Sequence, residues 1–258
     1  MSIRKKIAWA LFATGLFTGE AAAQELDRME TDRPDQTECP FIVPVNWIQL
    51  ETGFNFEKNR PGSHTFVYPT LLSKYGISKR LEFRVITSLL ANREYNGGQY
   101  ESVNGIEPVQ LGFKLALLKE HGILPMTSVI AHIAVPQFAS NKLHAEKFAP
   151  NFVFTMQHTI SKWSALGYNL GAEWDGFSNT PAWIYRVSPG FNIGKDWYVY
   201  AEAFGFIQKN ETANHNIDGG IAYYFNNDIK VDLSAGKGLS AISTSYYIAL
   251  GASIRFSL

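Results

Sequence analysis

Residues 47–57 read WIQLETGFNFE, a run in which apolar and polar side chains alternate. Successive side chains of a β-strand point to opposite faces of the sheet, so the alternation separates two faces. One face carries Ile48, Leu50, Thr52, Phe54 and Phe56, and the other carries Gln49, Glu51, Gly53, Asn55 and Glu57. This period of two predicts a strand with an apolar side and a polar side.

Twelve segments of the chain share this alternation, and none shows a convincing helical repeat. They lie near residues 47–57, 64–75, 81–92, 106–118, 124–135, 151–159, 165–174, 183–193, 197–208, 217–225, 229–235 and 245–257. Connections after even-numbered segments are short, as at 76–80, whereas those after odd-numbered segments are mostly longer, as at 93–105 and 136–150. Short turns at one end and longer loops at the other are typical of an outer-membrane barrel.

The composition of the 258-residue chain excludes several classes of protein. Its 23 basic and 23 acidic residues leave no net charge, which argues against a nucleic-acid binder. With 46% hydrophobic residues the chain is too apolar for disorder. It nevertheless has no run of about 18 apolar residues, so a helical membrane protein is excluded. The single cysteine, Cys39, permits no internal disulfide.

The chain divides into three parts. Residues 1–23 have the layout of a secretory signal peptide, with basic residues at 4–6, a short apolar core and Ala21-Ala22-Ala23 before the cleavage site. Residues 24–46 are polar, contain three prolines and show no alternation, so they form either a periplasmic lead or a plug inside a barrel. Residues 47–258 carry the alternating segments and form the barrel.

Alternation alone fits a soluble sandwich or ligand-holding barrel as well as a transmembrane barrel. Besides the signal peptide, two features favour the membrane. Eleven extended residues span roughly 36 Å, enough to cross a tilted apolar band of about 25 Å. Aromatic girdles mark both ends of membrane barrels, and tryptophans lie near segment ends, at Trp47, Trp163, Trp174, Trp183 and Trp197. We predict an all-β, transmembrane antiparallel up-and-down β-barrel of about 12 strands in the cell outer membrane, with both termini periplasmic.

Charged residues fall on the face opposite the apolar one, which would line the interior. The acids are Glu51, Glu57, Glu82, Glu173, Glu202, Asp218 and Asp232, and the bases are Arg84, Lys114, Arg186, Lys230 and Arg255. They predict either a channel with mild selectivity or a salt-bridged interior that braces a narrow barrel. Three charged residues of the 24–46 part, Asp32, Arg33 and Asp35, are candidates for pairing with the interior if that part is a plug.

Three motifs resemble a family of outer-membrane β-barrels labelled as transporters for the MetA pathway of phenol degradation. They are Glu30-Thr31-Asp32-Arg33-Pro34-Asp35, Gln49-x-Glu51-x-Gly53, and the run KYGISKRLEFR from Lys74 to Arg84. The C-terminal run also looks like the assembly signal of such barrels, with Ile254 and Phe256 at +3 and +5 from Gly251. The resemblance implies an outer-membrane barrel of this size with a transport role, and the barrel-assembly machinery as a partner.

We therefore expect a channel or transporter for an unidentified small solute, surrounded by outer-membrane lipid. Two alternatives are an outer-membrane lipid-modifying enzyme and a structural or surface-interaction barrel. For the enzyme, Ser128 and His132 share one face but lie four residues apart, roughly 13 Å along a strand, too far to hydrogen-bond. The remaining histidines are scattered, so we predict no catalytic residues, metal site or cofactor.

Overall fold

The computed structural model describes residues 26–59, 64–96 and 99–258, so the predicted signal peptide lies outside the described residues. The described ranges form thirteen strands: β1 Trp47–Lys58, β2 His64–Ser78, β3 Leu81–Asn96, β4 Gln99–Ile106, β5 Val109–Leu118, β6 Met126–Val135, β7 Ala149–Ser161, β8 Ser164–Glu173, β9 Ala182–Ile193, β10 Trp197–Gln208, β11 Asn214–Asn226, β12 Ile229–Gly238 and β13 Tyr246–Ser257. Two single-turn 3-10 helices, Pro136–Phe138 and Asn141–Leu143, precede β7. No helix in these ranges is long and apolar enough to cross a membrane.

The strands pair antiparallel and close into a barrel. The first strand, β1, pairs with both β2 and the last strand, β13, so the sheet has no open end there. Strand β3 pairs through Leu81–Ile86 with β5 and through Leu89–Asn96 with β4. Strands β4 and β5 thus form one position in the wall, interrupted at Glu107 and Pro108. The prediction of an antiparallel barrel of about twelve strands is confirmed.

The predicted long loop at 93–105 is wrong. Strand β3 continues to Asn96 and β4 begins at Gln99, so most of this stretch is paired. Antiparallel pairing is made by backbone groups and needs no apolar face outside the hydrocarbon. The alternation of apolar and polar residues is therefore lost beyond the apolar band, although the β3–β4 hairpin continues.

The outer surface of the barrel is apolar and its inner surface is charged. Phe54 and Trp183 are 49% and 62% exposed on the outside, whereas Glu51 and Lys114 are 1% and 0% exposed on the inside. A soluble sandwich or barrel would bury the apolar face and expose the charged one. The observed arrangement is the one that a barrel surrounded by hydrocarbon requires.

The two ends of the barrel differ, and we name them the turn end and the loop end. The turn end holds the start of β1, the end of β13 and the short connections 79–80, 119–125, 162–163, 194–196 and 227–228. Residues 26–46, the inserted segment, enter here, because the Met29 N–H donates to the Asn227 carbonyl and Val45 forms a β-bridge with Gly76. Between these points the segment rises into the lumen, where Asp32 is buried.

Candidate functional site

The inserted segment is fixed to the barrel wall through Asp32. Its carboxylate lies 2.5 Å from the ammonium of Lys74, 2.9 Å from the guanidinium of Arg84 and 3.1 Å from the ammonium of Lys114. These three cations come from β2, β3 and β5. One carboxylate of the segment therefore binds inward-facing cations of three strands, and it links these strands inside the lumen.

Strand register brings these cations to one place. Lys74 lies directly opposite Arg84, and Arg84 lies opposite Gly112 on the next strand. A Cβ at Gly112 would collide with the imidazole of His132, so only glycine leaves room for that ring to cross β5. His132 can then accept a hydrogen bond from Arg84 Nε at 3.0 Å.

The acids around the cations are paired as well. Arg84 contacts Glu82 at 3.1 Å and Glu38 of the inserted segment at 2.9 Å, and Lys74 contacts Glu51 at 2.5 Å. Charge-assisted hydrogen bonds are about twice as strong as neutral ones. Removing one partner from such a buried network leaves an uncompensated charge, which costs about 3–5 kcal/mol. We call this network, on β1 to β5, the basic wall.

Arg33 anchors the segment on the neighbouring strands. Its guanidinium contacts Asp232 of β12 at 2.9 Å. Gly53 of β1 and Gly251 of β13 are paired, and the Arg33 guanidinium lies against both. A Cβ at either glycine would overlap the guanidinium. The glycine of the Gln49-x-Glu51-x-Gly53 motif is therefore a site of close approach.

Hydrogen bonds from neutral donors hold the segment on the opposite side, at β8 to β10. Glu202 accepts from the Gln36 N–H at 2.7 Å and from the Thr37 hydroxyl at 2.5 Å. The Ser188 hydroxyl donates to Asp35 at 3.0 Å, and the backbone of Glu38 exchanges hydrogen bonds with the amide of Asn169.

The two aspartates of the segment differ in acidity. Burial alone would raise the pKa of Asp32, but Lys114, Lys74 and Arg84 together hold this pKa well below its usual range. Burial and the Glu202 carboxylate raise the pKa of Asp35 well above its usual range, against the Ser188 hydrogen bond, which lowers it. Asp32 thus stabilises the inserted state as an anion, whereas ionised Asp35 opposes it.

Cavities lie in the lumen on both sides of the segment. On its loop-end side a cavity of about 300 Å³ is lined by Asp35, Leu72, Ile86, Arg186, Tyr247 and other residues. On its turn-end side a cavity of about 340 Å³ is lined by Arg28, Phe41, Lys74, Glu82, Arg255 and other residues. Space large enough for a small solute therefore exists above and below the segment.

The residues predicted to line the lumen lie in several groups. Arg84, Lys114, Glu51 and Glu82 meet in the basic wall, and Arg186 contacts Glu38 at 3.7 Å. Lys230 donates to Thr31 and to the Arg33 carbonyl next to Asp232. Others stand apart: Glu202 and Asp218 lie on β10 and β11, Glu173 accepts from Asn151 near the loop end, and Arg255 contacts Asp228 at the turn end.

Sequence reasoning missed Lys74 of the basic wall and two residues that bind Arg84, namely Glu38 of the inserted segment and His132 of β6. Lys74 shares the parity of Thr70 and Leu72 on β2, so extending the alternation would have placed it inside. His132 was weighed only as a partner of Ser128. Instead, the Ser128 hydroxyl donates to the Pro40 carbonyl at 2.5 Å, so both side chains bind other groups.

Chemically, the arrangement is an apolar shell around a polar lumen, which the inserted segment occupies and in which it forms ion pairs with the wall. The described residues contain no cluster of His, Cys, Asp and Glu suited to a metal ion. These features define a β-barrel of the membrane-spanning class. The chain belongs to the family described as "Putative MetA-pathway of phenol degradation", whose model matches residues 31–256, and the resemblance seen in the motifs is confirmed.

Solved structures share the fold at low sequence identity. An outer membrane channel from Pseudomonas putida F1 is 10% identical with a TM-score of 0.66, over 88% of this chain and 100% of that chain. The KdgM porin is 7% identical with a TM-score of 0.53, over 81% and 99%. The translocator domain of the autotransporter NalP from Neisseria meningitidis is 10% identical with a TM-score of 0.53, over 83% and 89%. No curated protein sequence gives a match.

Proposed function

We propose that the protein is an outer-membrane pore for small solutes and that the inserted segment is its plug. The observation that carries this proposal is the inserted segment itself, which crosses a lumen with cavities of about 300 and 340 Å³ on its two sides. If the segment served only to stabilise a structural barrel, cavities on both sides of it would not be needed. Two of the similar structures, an outer membrane channel and the KdgM porin, support the same interpretation.

In this proposal the turn end faces the periplasm, outer-membrane lipid covers the apolar shell, and the signal peptide directs export. We propose passage without covalent chemistry, and the contacts of Ser128 with the Pro40 carbonyl and of His132 with Arg84 are consistent with this proposal. The charged residues of the lumen set its selectivity.

The test is planar-bilayer recording of the refolded mature chain beside a variant lacking residues 24–40. We expect discrete conductance steps from the full chain and larger steps from the deletion variant. Unchanged conductance in the deletion would make the segment a passive lead, and no steps from either protein would reject the pore. Because the deletion can impair folding, each sample is first checked for the heat-dependent gel mobility of a folded barrel, and Asp32→Asn in the full chain serves as a second variant.

A further inference from the structure

Acids in the lumen fall into two sets according to their partners. Asp32, Glu51 and Glu82 each contact a cation of the basic wall, and Asp232 contacts Arg33. Asp35, Glu202 and Asp218 contact no basic group at ion-pair distance within the described ranges. We call these three carboxylates, with the rings of Tyr200 and Tyr247, the acidic wall.

The carboxylates of the acidic wall are close together. Glu202 and Asp218 lie directly opposite each other in the β10–β11 register. Like charges at directly opposite positions destabilise a sheet. Asp35 faces the same wall, because the next two residues of the inserted segment donate to Glu202. The arrangement therefore concentrates negative charge where the wall itself supplies no cation.

Nearby bases are engaged elsewhere. The guanidinium of Arg186 faces Glu38 at 3.7 Å, and the ammonium of Lys230 is bound by Thr31 and the Arg33 carbonyl. All the hydrogen-bond donors to Glu202 and Asp218 found in the described residues are neutral: the Gln36 N–H and the hydroxyls of Thr37 and Tyr247.

Two polar atoms of this wall lack partners among the described residues. They are the second carboxylate oxygen of Asp218 and the hydroxyl of Tyr200, a residue that is only 5% exposed. The Tyr200 hydroxyl is close enough to Asp218 for the two groups to interact, but without hydrogen-bond geometry. A buried polar group without a partner is costly, so these atoms point to a missing ligand with donors.

Aromatic rings complete the wall. Phe204 packs against Tyr247, and Phe206 meets Phe204 edge to face at 6.4 Å. Ring faces attract cations, more strongly where water is excluded. Tyr247 and Asp35 also border the loop-end cavity. Phe206 borders a further cavity of about 350 Å³ at the loop end, which is also lined by Glu173, Trp174 and Glu211. The acidic and aromatic surface thus continues toward the outside.

We propose that the acidic wall binds the ammonium group of a small aromatic amine that enters from the loop end. The carboxylates pair with the positive charge of the ammonium group, and the Tyr200 and Asp218 oxygens accept hydrogen bonds from its N–H groups. The aromatic rings pack against the hydrocarbon part of the amine. An organic cation fits better than a metal ion, because the described residues offer no metal-binding cluster and the wall is rich in rings. This assignment rests on the proposed pore, since the solute must enter the lumen.

Binding of benzylammonium to the refolded full chain in detergent tests the assignment, with neutral benzyl alcohol as the matched probe. Calorimetry at neutral pH should show benzylammonium binding about tenfold more tightly or better. The double variant Glu202→Gln with Asp218→Asn should lose this preference. Glu120→Gln, which removes a carboxylate in the 119–125 connection at the turn end, should keep it. If the double variant does not fold, Glu202→Gln alone should lose part of the preference.

Equal binding of the two probes to the full chain would overturn the proposal, and so would a preference that survives in the double variant. Neither result depends on conductance. A protein that conducts without the preference would retain the pore and reject the amine site. A protein that binds the amine but gives no conductance steps would retain the site and reject the pore.

Discussion

The inserted segment meets the basic wall and the acidic wall by different physical means. At the basic wall, Asp32 joins Lys74, Arg84 and Lys114 through buried ion pairs. At the acidic wall, Glu202 accepts hydrogen bonds from two neutral donors, the Gln36 N–H and the Thr37 hydroxyl. Disrupting a buried ion pair costs about 3–5 kcal/mol, whereas a hydrogen bond between a neutral donor and a charged group contributes about 1.5–3 kcal/mol. The segment is therefore anchored on one side, and a solute path would open along the other.

The largest expected effect comes from removing the centre of the basic wall. Arg84→Met deprives Asp32, Glu38 and Glu82 of a shared cation, at a cost of about 3–5 kcal/mol. The segment should leave the lumen, and single-channel conductance should rise toward that of the deletion variant. Thr37→Val, which removes one of the two neutral donors to Glu202 at the acidic wall, is the control and should change conductance much less. An equal or larger rise in the control would reverse the assignment of the anchored side.

The two aspartates of the segment, Asp32 and Asp35, should make its insertion depend on pH in opposite directions. Ionised Asp32 stabilises insertion, and because its pKa is lowered this contribution persists until the pH falls below the usual aspartate range. Burial and the Glu202 carboxylate raise the pKa of Asp35, although Ser188 and Lys230 lower it, so ionisation of Asp35 weakens insertion as the pH rises above that range.

Conductance of the unmodified protein should therefore increase as the pH rises above the usual aspartate pKa of about 4. Asp35→Asn should flatten this rise and keep conductance low, whereas Asp32→Asn should raise conductance at every pH. A pH profile unchanged by Asp35→Asn would show that another group is responsible.

The smallest effect is expected at the glycines that face the segment. Gly53→Ala places a methyl group against the Arg33 guanidinium, which must move away from Asp232. A hydrogen bond to a charged group contributes about 1.5–3 kcal/mol, and part is retained because the arginine is flexible. The matched variant on the other side, Gly167→Ala, meets a methyl group of Thr37 at 3.1 Å and should be nearly neutral. The fraction of time spent at high conductance measures both, and equal fractions would contradict the account.

Much of the wall could be predicted from the sequence, because a period of two repeats in most of the strands. Residues 47–57 and 197–208 were assigned within one residue of β1 and β10. The hairpin beyond Asn92 was missed, since backbone pairing outside the hydrocarbon leaves no apolar pattern.

The site was less predictable. The 24–46 part has no period, so its sequence was compatible with a lead or a plug. Arg33 and Asp232 are 199 positions apart, and their contact depends on how deeply the segment enters. The room for His132 depends on Gly112 of a neighbouring strand, which only the register reveals.

The most direct test of an anchored segment uses the single cysteine of the chain. Cys39 lies in the segment, its N–H donates to Asp32 at 2.9 Å, and burial raises the pKa of its thiol. Maleimide labelling of the folded barrel should be at least about tenfold slower than that of the heat-unfolded chain, and Arg84→Met should accelerate it. Labelling of the folded protein at the unfolded rate, or at a rate unaffected by Arg84→Met, would contradict the account.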